Sequence, residues 1–378
     1  MSIEGGLSPD IINVGIHPGS KSVANRSGAM SKSRMNKKII AGTVLVATMA
    51  ASPSWAQGAQ GTCDRACLLK TADDYLAALV AHDQAKAPMA PNAKFTEQTK
   101  VLKVGEEGLW KSAISTSTTF KIPVPDPMSG QIGMIVMMKA AGNAFPPPPP
   151  RGNAPARDPS APADIQLALR LKVVNRHITE AEHVIARIDA PSQLTALKTP
   201  RAAFMQTVSK AERNPRNILL LIGNSYYDAL TQNNGELAPF ADDCGRRENG
   251  MLTAGVGRPD DAPPPPAGFG DIPTDCAGQL TSRAMSYINS IDLRRIWIAD
   301  EERGLVFGLT MFRHPMEQKT ITILKPDGTT SERPMNFNPF DLEAAHIFKI
   351  WGGKIHEIEA MGFTLPLYSK NGWNAFIK

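Results

Sequence analysis

The sequence predicts an α+β protein made of two tandem copies of one domain, each with helices packed on a curved antiparallel sheet. Three observations predict it. Tyr226 to Asn249 repeats Tyr75 to Gln98 without a gap, so that Tyr75 falls on Tyr226, Leu79 on Leu230, Pro88 on Pro239, Ala90 on Ala241 and Glu97 on Glu248. Downstream of each copy lies a second match, Leu171 to Glu182 against Phe348 to Glu359, in the same order. A period this long is a doubled domain rather than a solenoid repeat. Each copy also reads helix first and strands afterwards. That order argues α+β and argues against a doubly wound fold, which alternates the two.

The elements follow in order. Cys63 to His82 is a helix, with Leu68, Leu69, Ala72, Tyr75, Leu76 and Leu79 at helical spacing. Asp83 and Pro88 end it. Phe95 to Trp110 mixes a short strand with a turn or short helix. Thr118 to Val124 and Gln131 to Met138 are strands on β-branched and apolar content. Residues 142–162 are a proline-rich insertion with Pro146 to Pro150, which cannot join a sheet. Ile165 to Val174 and Ile178 to Arg187 form a hairpin at Asn175-Arg176. Pro191 to Pro215 is a linker with a short helix over Ala202 to Ala211. Ile218 to Leu230 is the helix of the second copy, and Asp243 to Thr253 follows the shared turn. Residues 256–275 are a second insertion with Pro263 to Pro266. Leu280 to Tyr287 reads as short strand or helix. Ile291 to Ala299 and Leu305 to Phe312 are strands, and Thr320 to Leu324 opens a small hairpin at a Pro-Asp-Gly turn. Ala344 to Trp351 and Lys354 to Met361 close on Gly352-Gly353, a strong two-residue hairpin signal. The domains are thus expected at 63–190 and 216–365, joined by the linker 191–215 and followed by a tail at 366–378.

The N-terminus reads as a targeting segment. Residues 1–34 are polar and aperiodic, either an extension or a mis-assigned start before Met35. Lys37 and Lys38, the apolar run Ile39 to Ala51 and Ser54-Trp55-Ala56 make a signal peptide at 35–56, cleaved after Ala56. The run is too short to span a bilayer, and no later segment is apolar enough. A periplasmic or secreted protein is expected, with its four cysteines in an oxidising compartment. Four cysteines allow three pairings. Cys244 and Cys276 flank the second insertion without another near neighbour and are paired here. Cys63 and Cys67 then remain, one helical turn apart and within disulfide reach. Metal binding is the rival reading, with no histidine at ligand spacing to support it.

The net charge of +5 is spread, without a basic run interleaved with aromatics, so no nucleic-acid partner is expected. No Gly-rich phosphate loop, Gly-x-Ser-x-Gly elbow or His-rich metal signature occurs. The chain is therefore read without a cofactor or metal.

The helix, the AP-x-A turn, the strand carrying Glu-Asn-Gly and the final FKIWGGKIHEIE together resemble the SnoaL-like branch of the nuclear transport factor 2-like superfamily. CDRACL before a Tyr-Leu-Ala-Ala-Leu helix, and CGRRENG with a later cysteine, are similar to an uncharacterised group of secreted bacterial and fungal proteins in it. The resemblance implies two cone-shaped domains, each wrapping a bent sheet around a mostly apolar cavity. It also implies that the copies pack together as an intramolecular pseudodimer. The superfamily includes isomerases, dehydratases and lyases beside members without a known reaction, so the fold leaves the chemistry open.

Counting outward from Gly352-Gly353 sets His346 opposite Glu359 and Phe348 opposite Glu357. One face then carries His346, Phe348, Ile350, Glu357 and Glu359. A carboxylate orienting an imidazole is a general-base arrangement. A solvated face with an exposed ion pair is the alternative. Arg246 and Glu248 share a face of the strand that the resemblance puts at the cavity mouth, with Asn249 beside them. Arg246 could hold an oxyanion and Glu248 could act as acid or base; a structural bridge is the alternative. Tyr227 and Phe348 are read as substrate-binding, with core packing as the alternative for Tyr226 and Tyr227. His314, at a strand end, is a lesser candidate. His82, His177 and His183 are read as surface or structural histidines. The expected function is an exported protein binding a small apolar or aromatic molecule. If it is catalytic, it is a cofactor-free lyase, dehydratase or isomerase using His346 and Glu359 as base and Arg246 with Asn249 to stabilise charge. The alternative is a non-catalytic binding or interaction protein.

Overall fold

The computed structural model describes residues 62–145, 158–255 and 272–373. The extension, the signal peptide and both proline tracts lie outside the described residues. The chain order is α1 (Arg65–Val80), β1 (Met89–Glu97), β2 (Lys100–Leu102), α2 (Leu109–Ser112), β3 (Ala113–Asp126), β4 (Gln131–Ala140), β5 (Ala163–Val174) and β6 (His177–Arg187). The connecting segment holds α3 (Pro191–Ala196) and α4 (Ala202–Met205). Then come α5 (Arg216–Thr231), β7 (Phe240–Glu248), β8 (Met251–Ala254), α6 (Cys276–Thr281), β9 (Ser290–Asp300), β10 (Leu305–His314), β11 (Thr320–Leu324), β12 (Thr330–Pro334), β13 (Phe340–Trp351) and β14 (Lys354–Leu365). The expected helix over Ala202 to Ala211 is cut to α4, and the stretch expected over Leu280 to Tyr287 is the end of α6 followed by coil.

The protein is mixed α and β, dominated by two six-stranded open sheets with one strand order. The first runs β2-β1-β6-β5-β4-β3 and the second β8-β7-β14-β13-β10-β9. The expected all-antiparallel sheet is corrected in one respect. β1 lies parallel to β6, and β7 parallel to β14. These pairs are joined by long connections rather than hairpins, so no tight turn forces them antiparallel. In β3 the prolines Pro123 and Pro125 sit on an edge strand, where a missing ladder donor is tolerated.

Both closing hairpins use two-residue turns with positive φ: Asn175 and Arg176 at 49° and 62°, Gly352 and Gly353 at 56° and 78°. That backbone twist matches the strands it joins. Both hairpins also carry a bulge at the same place. Lys172 pairs with Glu180 and Val173 with Ile178, while Lys349 pairs with Glu357 and Ile350 with Ile355. Thr179 and His356 are the extra residues. The bulge shifts all later pairings by one, so Lys172 and Lys349, Leu169 and His346, and His183 and Ala360 occupy equivalent places.

Each sheet has two buried faces. On one, the helix of its own copy packs. Leu68, Ala72, Tyr75, Leu76 and Leu79 of α1 meet Ile165, Leu167, Leu169 and Leu171 of β5, and Leu219, Ile222, Tyr226 and Leu230 of α5 meet Phe348 and Ile350 of β13. On the other face the two sheets meet each other, through Ile122, Val124, Ile135 and Val184 from the first and Ile298, Phe307, Leu309 and Ile347 from the second. A charged belt crosses this contact. Glu182 is bound by Arg170 Nε at 2.9 Å and by Arg295, and Arg295 lies 3.7 Å from Glu343. Glu343 is pushed up by burial and by the nearby Glu182 carboxylate, against the pull of Arg295.

Two further segments tie the copies together. Lys349 Nζ donates to the Gln206 carbonyl at 2.7 Å and the Arg303 carbonyl at 2.6 Å, which fixes the connecting segment to the second sheet. Trp373 in the tail lies over Lys94 and Arg170 of the first sheet, and its Nε1 donates to Thr96 Oγ1 at 2.9 Å. The disulfides Cys63–Cys67 and Cys244–Cys276 both form. They fit an oxidising compartment. No helix among the described residues is long and apolar enough to cross a membrane.

Candidate functional site

A cavity of about 220 Å³ opens on the helix-covered face of the second sheet. Tyr226 and Leu230 of α5, Arg246 and Glu248 of β7, and Met285, Tyr287 and Ile288 after α6 line it. Its sheet wall is Phe312 and His314 of β10, Phe340, Leu342, Ala344 and His346 of β13, and Ala360 to Gly362. Alternation along β10 and β13 sends these side chains inward, while Arg313, Glu343 and Ile347 turn away. The wall is a ladder of rings. His346 stacks at 5.8 Å on both Phe348 and Phe312, and Phe312 stacks on His314, which lies 4.1 Å from Phe340.

Arg246 is the charged centre, with its side chain only 1% exposed. Its Nε donates to Thr253 Oγ1 at 3.0 Å and lies 2.8 Å from the Glu248 carboxylate. Its terminal nitrogens donate to Tyr226 Oη at 3.1 Å and to Gln279 Oε1. Each terminal nitrogen carries a pair of N–H groups, so one on each is left uncommitted among the described residues. Gln279 sits one turn into α6, and the Cys244–Cys276 disulfide ties the start of that helix to β7. The disulfide therefore fixes the residue that orients the guanidinium. Burial pushes the Tyr226 phenol above its ordinary range, although Arg246 pulls the other way.

The cavity histidines are neutral. Burial pulls His346 down to about 3, with the Arg246 charge adding to it, and burial pulls His314 down to about 4. The Nδ1 atom of each is buried without a hydrogen-bond partner among the described residues. Neither ring carries a positive charge near neutral pH, so neither can be an imidazolium acid. Each can accept or donate one hydrogen bond as a neutral ring.

The structure brings His346, Arg246, Glu248 and Asn249 to the cavity and removes three other expected site residues from it. Glu359 does not oppose His346. The bulge at His356 sets it against Ile347 and sets His346 against Ala360, so Glu359 leaves by the other face. There it lies 3.3 Å from Arg201 Nη2, with Oε1 lacking a hydrogen-bond partner among the described residues. The His346–Glu359 base is therefore not assembled. Tyr227 and Phe348 are fully buried and do not line the hollow; Phe348 continues the ring ladder inward from His346. Asn249 reaches the rim, but its amide is committed: Nδ2 donates to the Gly362 carbonyl at 3.2 Å and Oδ1 accepts from Gly362 N at 3.0 Å. Gln98 clasps Ile185 in the same way in the first copy, so this is a backbone clip rather than a charge stabiliser. Tyr287, Met285, Phe340 and Gln279 were missed. Only the two-residue spacing of Phe312 and His314 signalled that His314 faces the same wall.

Glu359 gives a measurable pH effect. Burial pushes it up to about 7, against the attraction of Arg201 and Arg247. Burial opposes the Arg201 charge as well, but a guanidinium keeps its proton. Above the ordinary carboxylate pKa, the folded chain binds this proton more tightly than the unfolded chain. The stability from Glu359 is thus full below about pH 4.5 and is lost as pH rises to about 7. Glu359→Gln removes this slope, at most about 1.4 kcal/mol per pH unit. Urea unfolding of both proteins from pH 4.5 to 8 reads the difference; parallel curves would reject the assignment.

In the first copy the corresponding residues satisfy one another. Tyr75 Oη lies 3.0 Å from His183 Nε2, and His183 Nδ1 lies 2.9 Å from Glu97 Oε2. His183 is thus a satisfied structural histidine. Its equivalent is Ala360. In the second copy Arg246, which replaces Phe95, bridges the equivalent Tyr226 and Glu248.

No curated protein matches the chain. Among solved structures, it is similar to AclR of Streptomyces galilaeus, provisionally assigned as a hydroxylase, at 13% identity over 39% of this chain and 92% of that one. The TM-score is 0.22, and the likeness carries no argument. A family profile described as Domain of unknown function (DUF8021) matches residues 212–362, the stretch that contains α5, nearly all of the second sheet and this cavity.

Proposed function

We propose that the second copy binds one small, flat, largely apolar molecule carrying a hydrogen-bonding oxygen or nitrogen, in an exported protein of SnoaL-like architecture. The observation that carries this reading is Arg246: a buried guanidinium with an uncommitted N–H on each terminal nitrogen, set beside a hollow walled by rings. A buried cation is costly unless it is paired. Here its one acidic partner, Glu248, has a side chain 43% exposed. A ligand oxygen would complete the pairing inside the cavity, where such bonds are strong. The neutral His346 adds a second hydrogen-bonding point without adding charge.

A catalytic version of the same site rests on Glu248, the one carboxylate among the lining residues. It would move a proton while Arg246 and Tyr226 hold the developing oxyanion, which fits a cofactor-free isomerase, dehydratase or lyase. The test is calorimetry of the full chain against a panel of phenols, enones and fused-ring alcohols. Arg246→Met is expected to weaken binding at least tenfold. Glu248→Gln divides the two versions when the bound compound is also followed for chemical conversion: an enzyme converts it and the variant does not, whereas a binder leaves it chemically unaltered with either residue. Absence of binding by any panel member would reject the reading.

A further inference from the structure

We infer that Trp110 is a tethered stand-in for the ligand of the second copy, and that this ligand is a bicyclic aromatic with a ring N–H or O–H. The inference rests on the binding reading above and narrows it. In the first copy the indole of Trp110 is fully buried and meets Tyr75 edge-on, with ring centroids 5.3 Å apart and planes at 82°. Tyr75 is the equivalent of Tyr226, which borders the cavity in the second copy. The place where a ligand would touch Tyr226 is thus filled from within in the first copy.

The way Trp110 is held supports this. It rides on α2, which starts where Gly108 has φ 64° and passes so close to Glu97 that a Cβ there would overlap the carboxylate. Glu97 Oε2 accepts from Leu109 N at 2.9 Å, and the Trp110 carbonyl meets His82 Nδ1 at 2.8 Å. The Tyr–Glu pair of the first copy therefore grips the segment that carries the indole. In the second copy the corresponding pair, Tyr226 and Glu248, is bridged by Arg246 and borders the cavity, and α6 reads CAGQLT with no aromatic residue; among the described residues, the phenol ring of Tyr287, beyond α6, is the one aromatic that this connection adds to the lining. Two smaller side chains stand opposite, Ala344 in place of Leu167 and Ala360 in place of His183, while Phe340 and His314 are larger than the Ala163 and Ala140 they replace.

Size and polarity agree. A cavity of about 150 Å³ holds benzene, and about 220 Å³ leaves room for a second fused ring. The Trp110 N–H lies toward the Tyr75 hydroxyl but meets no acceptor at full hydrogen-bond geometry among the described residues. In the second copy the Glu248 carboxylate and the His346 ring stand ready to accept from such a group, and Arg246 to donate to its oxygen counterpart.

The experiment is calorimetry of the full chain with indole, 2-naphthol, phenol and decanoate. Wild type is expected to bind one equivalent of 2-naphthol or indole more tightly than phenol. Ala344→Trp, which supplies the second copy with its own plug, should weaken that binding at least tenfold. Trp110→Ala should add a second equivalent of indole and gain several degrees of melting temperature from it, more than wild type gains. Binding of phenol or decanoate without the bicyclic compounds would overturn the inference and leave the binding reading standing. Binding of none of the four would remove both. If Trp110→Ala does not fold, Ala344→Trp decides: undiminished 2-naphthol binding there overturns the inference.

Discussion

Replacing Phe307 by alanine is expected to destabilise the protein by about 3–5 kcal/mol, the range for deleting a fully buried phenylalanine. Phe307 is 0% exposed and stands between the two sheets. Its ring occupies the space over Gly133, where any Cβ would overlap it. Counting from the paired Lys172 and Lys349, Gly133 is the position equivalent to Phe307 itself. The sheets therefore meet across a pseudo-twofold with a ring on one side and a bare backbone on the other. Two phenylalanines there would collide, and two glycines would leave a void. Gly133→Val should thus be destabilising alone by about 1–3 kcal/mol, the usual cost of overpacking. In the Phe307→Ala background it should cost much less, because the new methyls enter the vacated space. A double-mutant cycle by urea unfolding measures the coupling. Additive effects would show that the two residues do not share one space. The asymmetry also explains why duplication is useful here: a covalent pair can hold different residues at equivalent positions, which identical subunits cannot.

Much of this architecture was legible in the sequence. The doubled words Tyr75 to Gln98 and Tyr226 to Asn249 fix equivalent helices, turns and first strands, and both sheets have the same strand order. The Gly352-Gly353 turn was legible because positive φ at both positions favours glycine, and the Asn175-Arg176 turn because Asn tolerates positive φ between two apolar runs, although Arg176 is not a residue that φ favours. The Cys244–Cys276 pairing followed from the lack of any other near neighbour. What stayed hidden was non-local or a single residue wide. Nothing local marks β1 as the parallel neighbour of β6, since that pairing is settled by packing across most of the copy. The bulge at His356 has no composition signal, because IHEIE alternates well enough as a regular strand. Yet that one residue sends Glu359 through the sheet to Arg201 and dissolves the expected His346–Glu359 base. The same words recur at Thr179 with the same bulge, so the repeat preserved the irregularity without announcing it. Arg246 was identified because alternation placed it on one face with Glu248. Its partner Gln279 was not, since it arrives from beyond the second insertion.

Arg246→Met should destabilise the protein and, on the proposed reading, weaken binding at the site. The guanidinium satisfies Tyr226 Oη, Thr253 Oγ1, Gln279 Oε1 and Glu248 together. Breaking a buried ion pair costs about 3–5 kcal/mol. Glu248 can turn toward water, which reduces this to about 2–3 kcal/mol, near the cost of leaving buried polar groups unmet. Arg246→Lys separates charge from geometry. It restores a cation but not a fork, so it should recover part of the stability while leaving Gln279 or Tyr226 without a donor. The His346 ring provides an internal control. Arg246 is the lesser of the two causes that depress it, after burial. In Arg246→Met its pKa should therefore rise yet stay well below 6.5, and the ring should remain neutral at pH 6 by NMR titration. Should His346 titrate at an ordinary value there, burial is not what keeps it neutral. The cavity would then be wet, and Arg246 would be positioning a charged imidazole rather than waiting for a ligand.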